Sequence, residues 1–311
     1  MKRIEIKAFA KINLTLDVLG VLDNGYHELS MIMQQILLCD DVQVKWTEEQ
    51  NADTIKIELS TNRKYLPTDS RNLAYKAASA MAEKYGYDKS GTIRIDIKKR
   101  IPVAAGLAGG SSNAAAVFHA LNKLWDLKLD VAELCKIGSS LGSDIPFCIM
   151  GQAAGNEILA DDFKNDPLSC HCALATGTGT DLQPITGLKS HLVLSKPNIG
   201  VSTAEVYQGI DNMTINEHPD NDEMIEALKK NDTNIFKKNL INVLENFTLT
   251  HYPIVMYTKN IMQELCSSDC VLMSGSGPTV FGLCKNITES KAICEKMLSH
   301  NKESYWTRTT W

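Results

Sequence analysis

The sequence predicts an α+β fold organised in two domains. Three observations predict it: apolar residues alternate with period two in several short runs, other runs carry the spacing of a helix face, and the chain passes through that mixture twice in 311 residues. Domains of about 150 residues are the common size, so a division into two is natural. Hydrophobic residues make up 44% and charged residues 22%, which excludes disordered and low-complexity classes.

The chain opens with strands. Ile4, Ile6 and Ala8 alternate, then Ile12, Leu14, Leu16 and Val18 alternate again, which sets Lys11, Asn13, Thr15 and Asp17 together on the opposite face. Asp23-Asn24-Gly25 is a turn signal and leaves Tyr26 and His27 just beyond it. β-rich runs follow at 42–44 and 55–59, then a helical pattern through Leu73, Ala77, Met81 and Tyr85, then a strand with Ile93, Ile95 and Ile97. A second series starts at Ile185: a strand at 192–194, helices near 222–230, 234–244 and 254–266, and a strand at 280–283. The domain boundary is therefore expected near residue 184, giving domains of 1–184 and 185–311. Residues 304–311 read equally as a strand or a tail.

The net charge is −5, from 32 Lys and Arg against 37 Asp and Glu, so no overall basic field draws the chain to nucleic acid or to anionic lipid. Nowhere do eighteen apolar residues run without charge, and Glu5, Lys7 and Lys11 interrupt the start before a signal sequence could form. No membrane span and no leader are read, and a cytoplasmic location is expected. The nine cysteines are scattered with no CxxC pair, which favours free thiols over a zinc site or a disulfide framework.

The strongest chemical signal is Pro102-Val103-Ala104-Ala105-Gly106-Leu107-Ala108-Gly109-Gly110-Ser111-Ser112-Asn113, a small-residue loop that opens a helical run to Leu124. Glycines let backbone approach an oxygen-rich ligand, and the N–H groups and dipole of a helix start favour an anion such as phosphate. Ser111 or Ser112 can cap that helix; a capped helix start behind a tight turn is the plainer alternative. The pattern matches neither the P-loop nor the dinucleotide fingerprint. Gly142-Ser143-Asp144-Ile145-Pro146-Phe147 fixes a carboxylate ahead of a proline-stiffened apolar run, or is a turn aspartate bonded to its own backbone. Met273-Ser274-Gly275-Ser276-Gly277-Pro278-Thr279 is a second glycine loop, a phosphate nest or a strand-connecting turn. Three such loops together with a strand-borne lysine and a fixed aspartate are the parts of a phosphoryl-transfer site.

The combination of Ala10-Lys11-Ile12-Asn13-Leu14, the loop 102–113 and the loop 274–278 resembles the GHMP kinase superfamily. The resemblance runs over nearly the whole chain, and the further motifs at 23–29, 142–147, 196–203 and 273–281 are similar to the branch whose acceptor is cytidylylated methylerythritol diphosphate. It implies the GHMP kinase fold: an N-terminal domain like the second domain of ribosomal protein S5, and a C-terminal ferredoxin-like α/β domain. It implies ATP and Mg2+ as cofactors and transfer of phosphate to the acceptor's 2-hydroxyl, in the non-mevalonate (methylerythritol phosphate) route to isopentenyl diphosphate, by a monomer or homodimer. Residue by residue, Pro102, Val103, Ala104, Ala105, Gly106, Leu107, Ala108, Gly109, Gly110, Ser111 and Ser112 would wrap the ATP phosphates, with Ser112 near the magnesium ion. Asp144 would be the general base and Lys11 would hold it ionised and steady the γ-phosphate. Asn13 would orient the hydroxyl, Tyr26 and His27 would recognise cytosine, and Gly275, Ser276 and Gly277 would line the diphosphate. The aromatic that completes the cytosine pocket is unassigned, with 196–203 or Tyr207 as places for it.

Three features depart from the family pattern. Residues 153–171 form an extra polar segment, acidic in its middle, that reads as a surface insertion or a lid. Thr178 stands where a basic residue is common, and Val243 replaces the acidic residue of a usual Asn-Asp-Leu-Glu run at 242–245. They leave open two other readings, a different small-molecule kinase of the superfamily and a catalytically silent nucleotide-binding relative. An RNA-binding protein on the S5-like fold is disfavoured by the net charge and the lack of a basic stripe.

Overall fold

The computed structural model describes residues 2–23, 25–49 and 54–311, so Asn24 of the expected turn lies outside the described residues. Two compact units emerge, each discontinuous in sequence: Met1–Ala10, Leu38–Ile101 and Ala108–His171 form the first, and Lys11–Leu37, Pro102–Leu107 and Cys172–Trp311 form the second. The long strands β1 (Lys2–Val21) and β2 (His27–Glu48) supply residues to both. The boundary expected near 184 falls within the second unit.

In the first unit, β3 (Ile55–Thr61) pairs in parallel with β4 (Gly91–Lys98) through the crossover helix α1 (Leu73–Tyr85), and β4 pairs antiparallel with β2 from Asp41↔Lys98 to Glu48↔Gly91. The alternation of Ile93, Ile95 and Ile97 becomes a strand with these three buried, and Ala74, Ala77, Ala78 and Met81 are the buried stripe of α1. Helix α2 (Gly109–Leu124) is buried nearly all round, and its run of Ala114, Ala115, Ala116 and Ala120 keeps it slim enough to pack against both α1 and a later helix, α4. After α3 (Val131–Gly138), which carries a capping box from Asp130 and Glu133, α4 (Ile145–Gly155) follows with Pro146 in its first turn. A 3-10 turn at Glu157–Leu159 and the short α5 (Ala160–Phe163) occupy the segment read as an insertion. Asp161 and Asp162 are exposed, but Leu159 and Phe163 are buried, so this segment is anchored in the core of its unit.

In the second unit, β5 (Cys172–Gly177) pairs with β2 from Leu29↔Gly177 to Gln34↔Cys172 and turns into β6 (Asp181–Pro184). Then come β7 (His191–Lys196), α6 (Thr203–Ile210), α7 (Asn221–Lys230), α8 (Thr233–Asn239), α9 (Glu245–His251), α10 (Pro253–Leu265), β8 (Val271–Met273), β9 (Val280–Cys284), α11 (Ile287–Leu298) and β10 (Glu303–Arg308). The order β10-β7-β9-β8, antiparallel throughout, with α10 and α11 packed on it, is the ferredoxin-like arrangement. Residues 304–311 resolve in favour of a strand, since β10 pairs with β7 and Thr309 bridges Ile36. The helix expected over 234–244 ends at Asn239, because Ile241 and Val243 give their backbone bonds to Leu16 (2.9 Å each) instead of to a helix. Among the described residues no helix is long and apolar enough to cross a membrane, and all nine cysteines are free.

His119 sits in the middle of α2 with its ring against Phe163 (centroids 5.2 Å) and its Nε2–H donating to the Ile149 carbonyl at 2.9 Å. Burial pushes its pKa down from 6.5 to about 4. The unfolded chain therefore takes up this proton near pH 6.5 and the folded protein only near pH 4, so stability is complete above pH 6.5 and falls as pH drops through that window. Urea unfolding should show His119 contributing a loss of about 2 kcal/mol between pH 7 and pH 5. In His119→Leu this part of the acid sensitivity should vanish; an identical pH slope in the variant would refute the assignment.

Candidate active site

The loop from Pro102 to Ala108 is built on left-handed backbone: Ala104 (φ 50°), Gly106 (φ 72°) and Ala108 (φ 55°). Left-handed alanines each cost roughly 1–2 kcal/mol. Left-handed residues at such spacing are the backbone conformation of anion-binding nests, and at Gly109 the chain enters α2, whose first N–H groups have no partner within the helix. The expectation that Ser111 or Ser112 caps this helix does not hold, because the cap position is Ala108 and makes no side-chain bond. Ser111 is half-buried, while Ser112 is fully buried, its hydroxyl donating to the Phe9 carbonyl (2.7 Å) and accepting from Gln152 Nε2 (3.0 Å). These two contacts use the O–H and one of the two lone pairs of the hydroxyl. Among the described residues, no group of three or more His, Cys, Asp or Glu side chains could hold a metal ion.

In the second unit the stretch 102–107 meets the second glycine loop. A Cβ on Gly106 would lie 2.1 Å from the Ser274 carbonyl oxygen, so only glycine permits this crossing, and Ser274 Oγ donates back to the Gly106 carbonyl at 3.0 Å. Gly275 (φ 57°) would place a Cβ 3.7 Å from Asn13 Oδ1. Lys11 N donates to the Leu107 carbonyl (3.2 Å), and Lys11 Nζ donates to Asn13 Oδ1 at 2.7 Å. The face shared by Lys11 and Asn13 is thus real, and it is not a solvated one: they are 4% and 0% exposed. Lys11, Asn13, Gly106 and Gly275 therefore converge. The Ser274 loop is itself held by residues whose role the sequence did not disclose. Asn242 Nδ2 donates to the Met273 and Gly275 carbonyls (2.8 Å each), and Glu245 Oε1 accepts from Met273 N (2.8 Å). Val243, the departure from the family run, is fully buried.

Asp144, in the first unit, stands half-buried at the head of α4. Its side chain does not cap that helix.

His27 Nε2 lies 2.7 Å from Asp211 Oδ1, and its ring is 4.8 Å from that of Tyr207; Tyr26 beside it in sequence is 67% exposed. Tyr207 and Asp211 come from α6 and its C-cap, and at the start of the same helix Thr203 Oγ1 meets Ser276 Oγ at 2.9 Å. Thr203, Tyr207 and Asp211 recur every four residues, so one helix face joins the second glycine loop to His27 over about 12 Å. That spacing was the one sequence signal for Asp211, and Tyr207 had been only one of several possible places.

The family described as GHMP kinases N terminal domain matches residues 72–152, and that described as GHMP kinases C terminal matches 224–303. A curated relative from Alkaliphilus metalliredigens (strain QYMF), 4-diphosphocytidyl-2-C-methyl-D-erythritol kinase, is 42% identical over 316 residues, covering 100% of this chain and 99% of its own. One of the same name from Bacillus licheniformis is 46% identical over 282 residues, covering 90% and 88%. The crystal structure of a 4-(cytidine 5'-diphospho)-2C-methyl-D-erythritol kinase matches with a TM-score of 0.77 and 28% identity over 99% of this chain and 100% of that one. With the ferredoxin-like sheet, the paired glycine loops and the buried lysine, this likeness from end to end establishes that the chain belongs to the GHMP kinases, in the 4-diphosphocytidyl-2-C-methyl-D-erythritol kinase family.

Proposed function

We propose that the chain transfers the γ-phosphoryl group of ATP to the 2-hydroxyl of 4-diphosphocytidyl-2-C-methyl-D-erythritol, giving the 2-phosphate and ADP, in the non-mevalonate route to isopentenyl diphosphate. The observation that carries this reading is the similarity to curated kinases of that name over the full length of the chain. Likeness to the other small-molecule kinases of the superfamily, such as a homoserine kinase at 17% identity, concerns the fold alone.

In this reading the backbone of 102–112 binds the ATP phosphates, supported by its left-handed residues and by the open start of α2. Asp144 takes the proton of the acceptor hydroxyl as its oxygen bonds to the γ-phosphorus and the bond to ADP breaks. Lys11, buried and steered by Asn13, neutralises charge on the transferring group, where low exposure strengthens its effect. Asn13, Gly275, Ser276 and Gly277 approach the methylerythritol diphosphate. Magnesium would enter with the nucleotide and would neutralise charge on its phosphates, with Ser112 the side chain of the loop expected near it. Tyr26 offers its exposed ring face to cytosine. A carboxylate can only accept, so His27 Nε2 carries the proton directed at Asp211 and Nδ1 is the ring nitrogen left to meet the base edge. Nine thiols without a disulfide suit a reducing cytoplasm, where we place the enzyme.

Purified protein with ATP and magnesium should release ADP with the cytidylylated acceptor and not with mevalonate, homoserine or galactose. Asp144→Asn and Lys11→Ala should each lower kcat by roughly 10²- to 10⁴-fold; nucleotide binding without turnover on any acceptor would sink the proposal. Asp211→Ala should raise the acceptor KM by about tenfold while leaving the ATP KM within about twofold, because it frees the His27 ring without touching the phosphate loop. Equal effects on both KM values would remove His27 and Asp211 from base recognition.

A further inference from the structure

Asp40, at the middle of β2, is completely buried and accepts four hydrogen bonds. Its Oδ1 takes the backbone N–H groups of Arg100 (2.6 Å) and Ile101 (2.8 Å), and its Oδ2 takes Lys99 Nζ (2.5 Å) and Asn113 Nδ2 (2.8 Å). Four donors use the whole acceptor capacity of a carboxylate. Arg100 and Ile101 immediately precede Pro102, and Asn113 immediately follows Ser112. One carboxylate therefore grips the entrance and the exit of the same loop.

Lys99, 5% exposed, closes the ring. Its ammonium also donates to Asn113 Oδ1 (3.0 Å) and reaches the Gly109 carbonyl (3.4 Å). Gly109 is closely packed on this ring: a Cβ there would lie 3.0 Å from Ile101 Cγ2 and 3.1 Å from Lys99 Nζ, so either side chain would have to give way by a few tenths of an ångström. A buried ion pair is poorly explained by stability alone, because apolar residues of similar volume often serve as well. What an apolar pair could not do is hold two N–H groups and an amide at fixed positions. The left-handed backbone at Ala104 and Ala108 needs such support, since strained conformations persist only where the surroundings over-determine them.

We infer that Asp40, with Lys99 and Asn113, is a positioning cluster that clasps the two ends of the 102–112 loop and so pre-forms its phosphate-binding backbone. The assignment of phosphate to that loop rests on the function proposed above; the clasp itself does not. None of the three touches the reacting atoms, so their effect should fall on nucleotide affinity.

The test uses the full chain with Asn113→Ala, which removes the exit grip but leaves the Asp40–Lys99 pair intact, and Asp40→Asn, which keeps an acceptor toward Arg100 and Ile101 but turns a donor toward Lys99. Read-outs are the ATP Kd by calorimetry, the acceptor KM, and amide hydrogen exchange without ligand. In Asn113→Ala the ATP Kd should rise about tenfold or more and the acceptor KM stay within about twofold, with faster exchange confined to 102–112. Asp40→Asn should go further in the same direction. Unchanged exchange in the loop of Asn113→Ala overturns the clasp, and so does faster exchange spread evenly over the first unit, the mark of a merely structural role. Should Asp40→Asn fail to fold, Asn113→Ser supplies the second variant. If the unaltered protein binds no ATP, the kinase reading falls, while the exchange data still decide the clasp.

Discussion

Between Lys11 and Asp17 the strand β1 has no exposed face, and every second residue it buries is polar. Water is removed from an ammonium, an amide, a hydroxyl and a carboxylate in succession, and each needs a partner or costs several kcal/mol. The partners organise the second unit. Lys11 binds Asn13; Thr15 donates to Asn221 at the head of α7 and accepts from Ile32 N; Asp17 takes His218 Nδ1 at 2.7 Å; and Leu16 lends its backbone to Ile241 and Val243. The strand that carries the proposed catalytic lysine is thus fixed along its length by pairings that leave Lys11 little freedom to move.

That constraint also explains how far the sequence could be read. Alternation placed Lys11 and Asn13 on one face correctly, because a strand's period survives whatever packs against it. Burial of that face was not legible, since a polar stripe on a strand ordinarily means solvent. The helix expected through Leu244 failed for the same reason: its last residues have a helical pattern, yet their backbone is claimed by Leu16, more than two hundred positions away in the chain. The serine cap failed because the loop reaches α2 in a left-handed conformation, whereas a capping serine needs extended backbone. The segment 153–171 looked like surface from its acidic centre, and only packing discloses that Leu159 and Phe163 turn inward.

Recognition and chemistry draw on different kinds of contact. Around His27 the partners are side chains on one helix face, Tyr207 and Asp211, whose spacing from Thr203 is set by helix geometry. At the glycine loops, in the proposed function, the working groups would be backbone, and side-chain identity matters mainly by its absence, as at Gly106 against the Ser274 carbonyl.

N–H groups left open for a ligand cannot also bond within the loop, so side chains take a larger share in holding such backbone. Both loops solve this in the same way. The first has the Asp40 carboxylate on two N–H groups, Lys99 neutralising it and Asn113 as the amide link. The second has the Glu245 carboxylate on Met273 N, Lys259 neutralising it at 2.6 Å, and Asn242 donating to the Met273 and Gly275 carbonyls. A carboxylate alone would place a negative charge close to a phosphate site, whereas the carboxylate with its lysine holds N–H groups in place at no net charge. The amide contributes what neither ion can, a donor and an acceptor on one planar group. The position of Val243 follows from the same arrangement: it lies between Asn242 and Glu245 in sequence, points into the core at 0% exposure, and takes no part in either bond. An apolar side chain there leaves the anchoring of the loop to its two neighbours, which are intact.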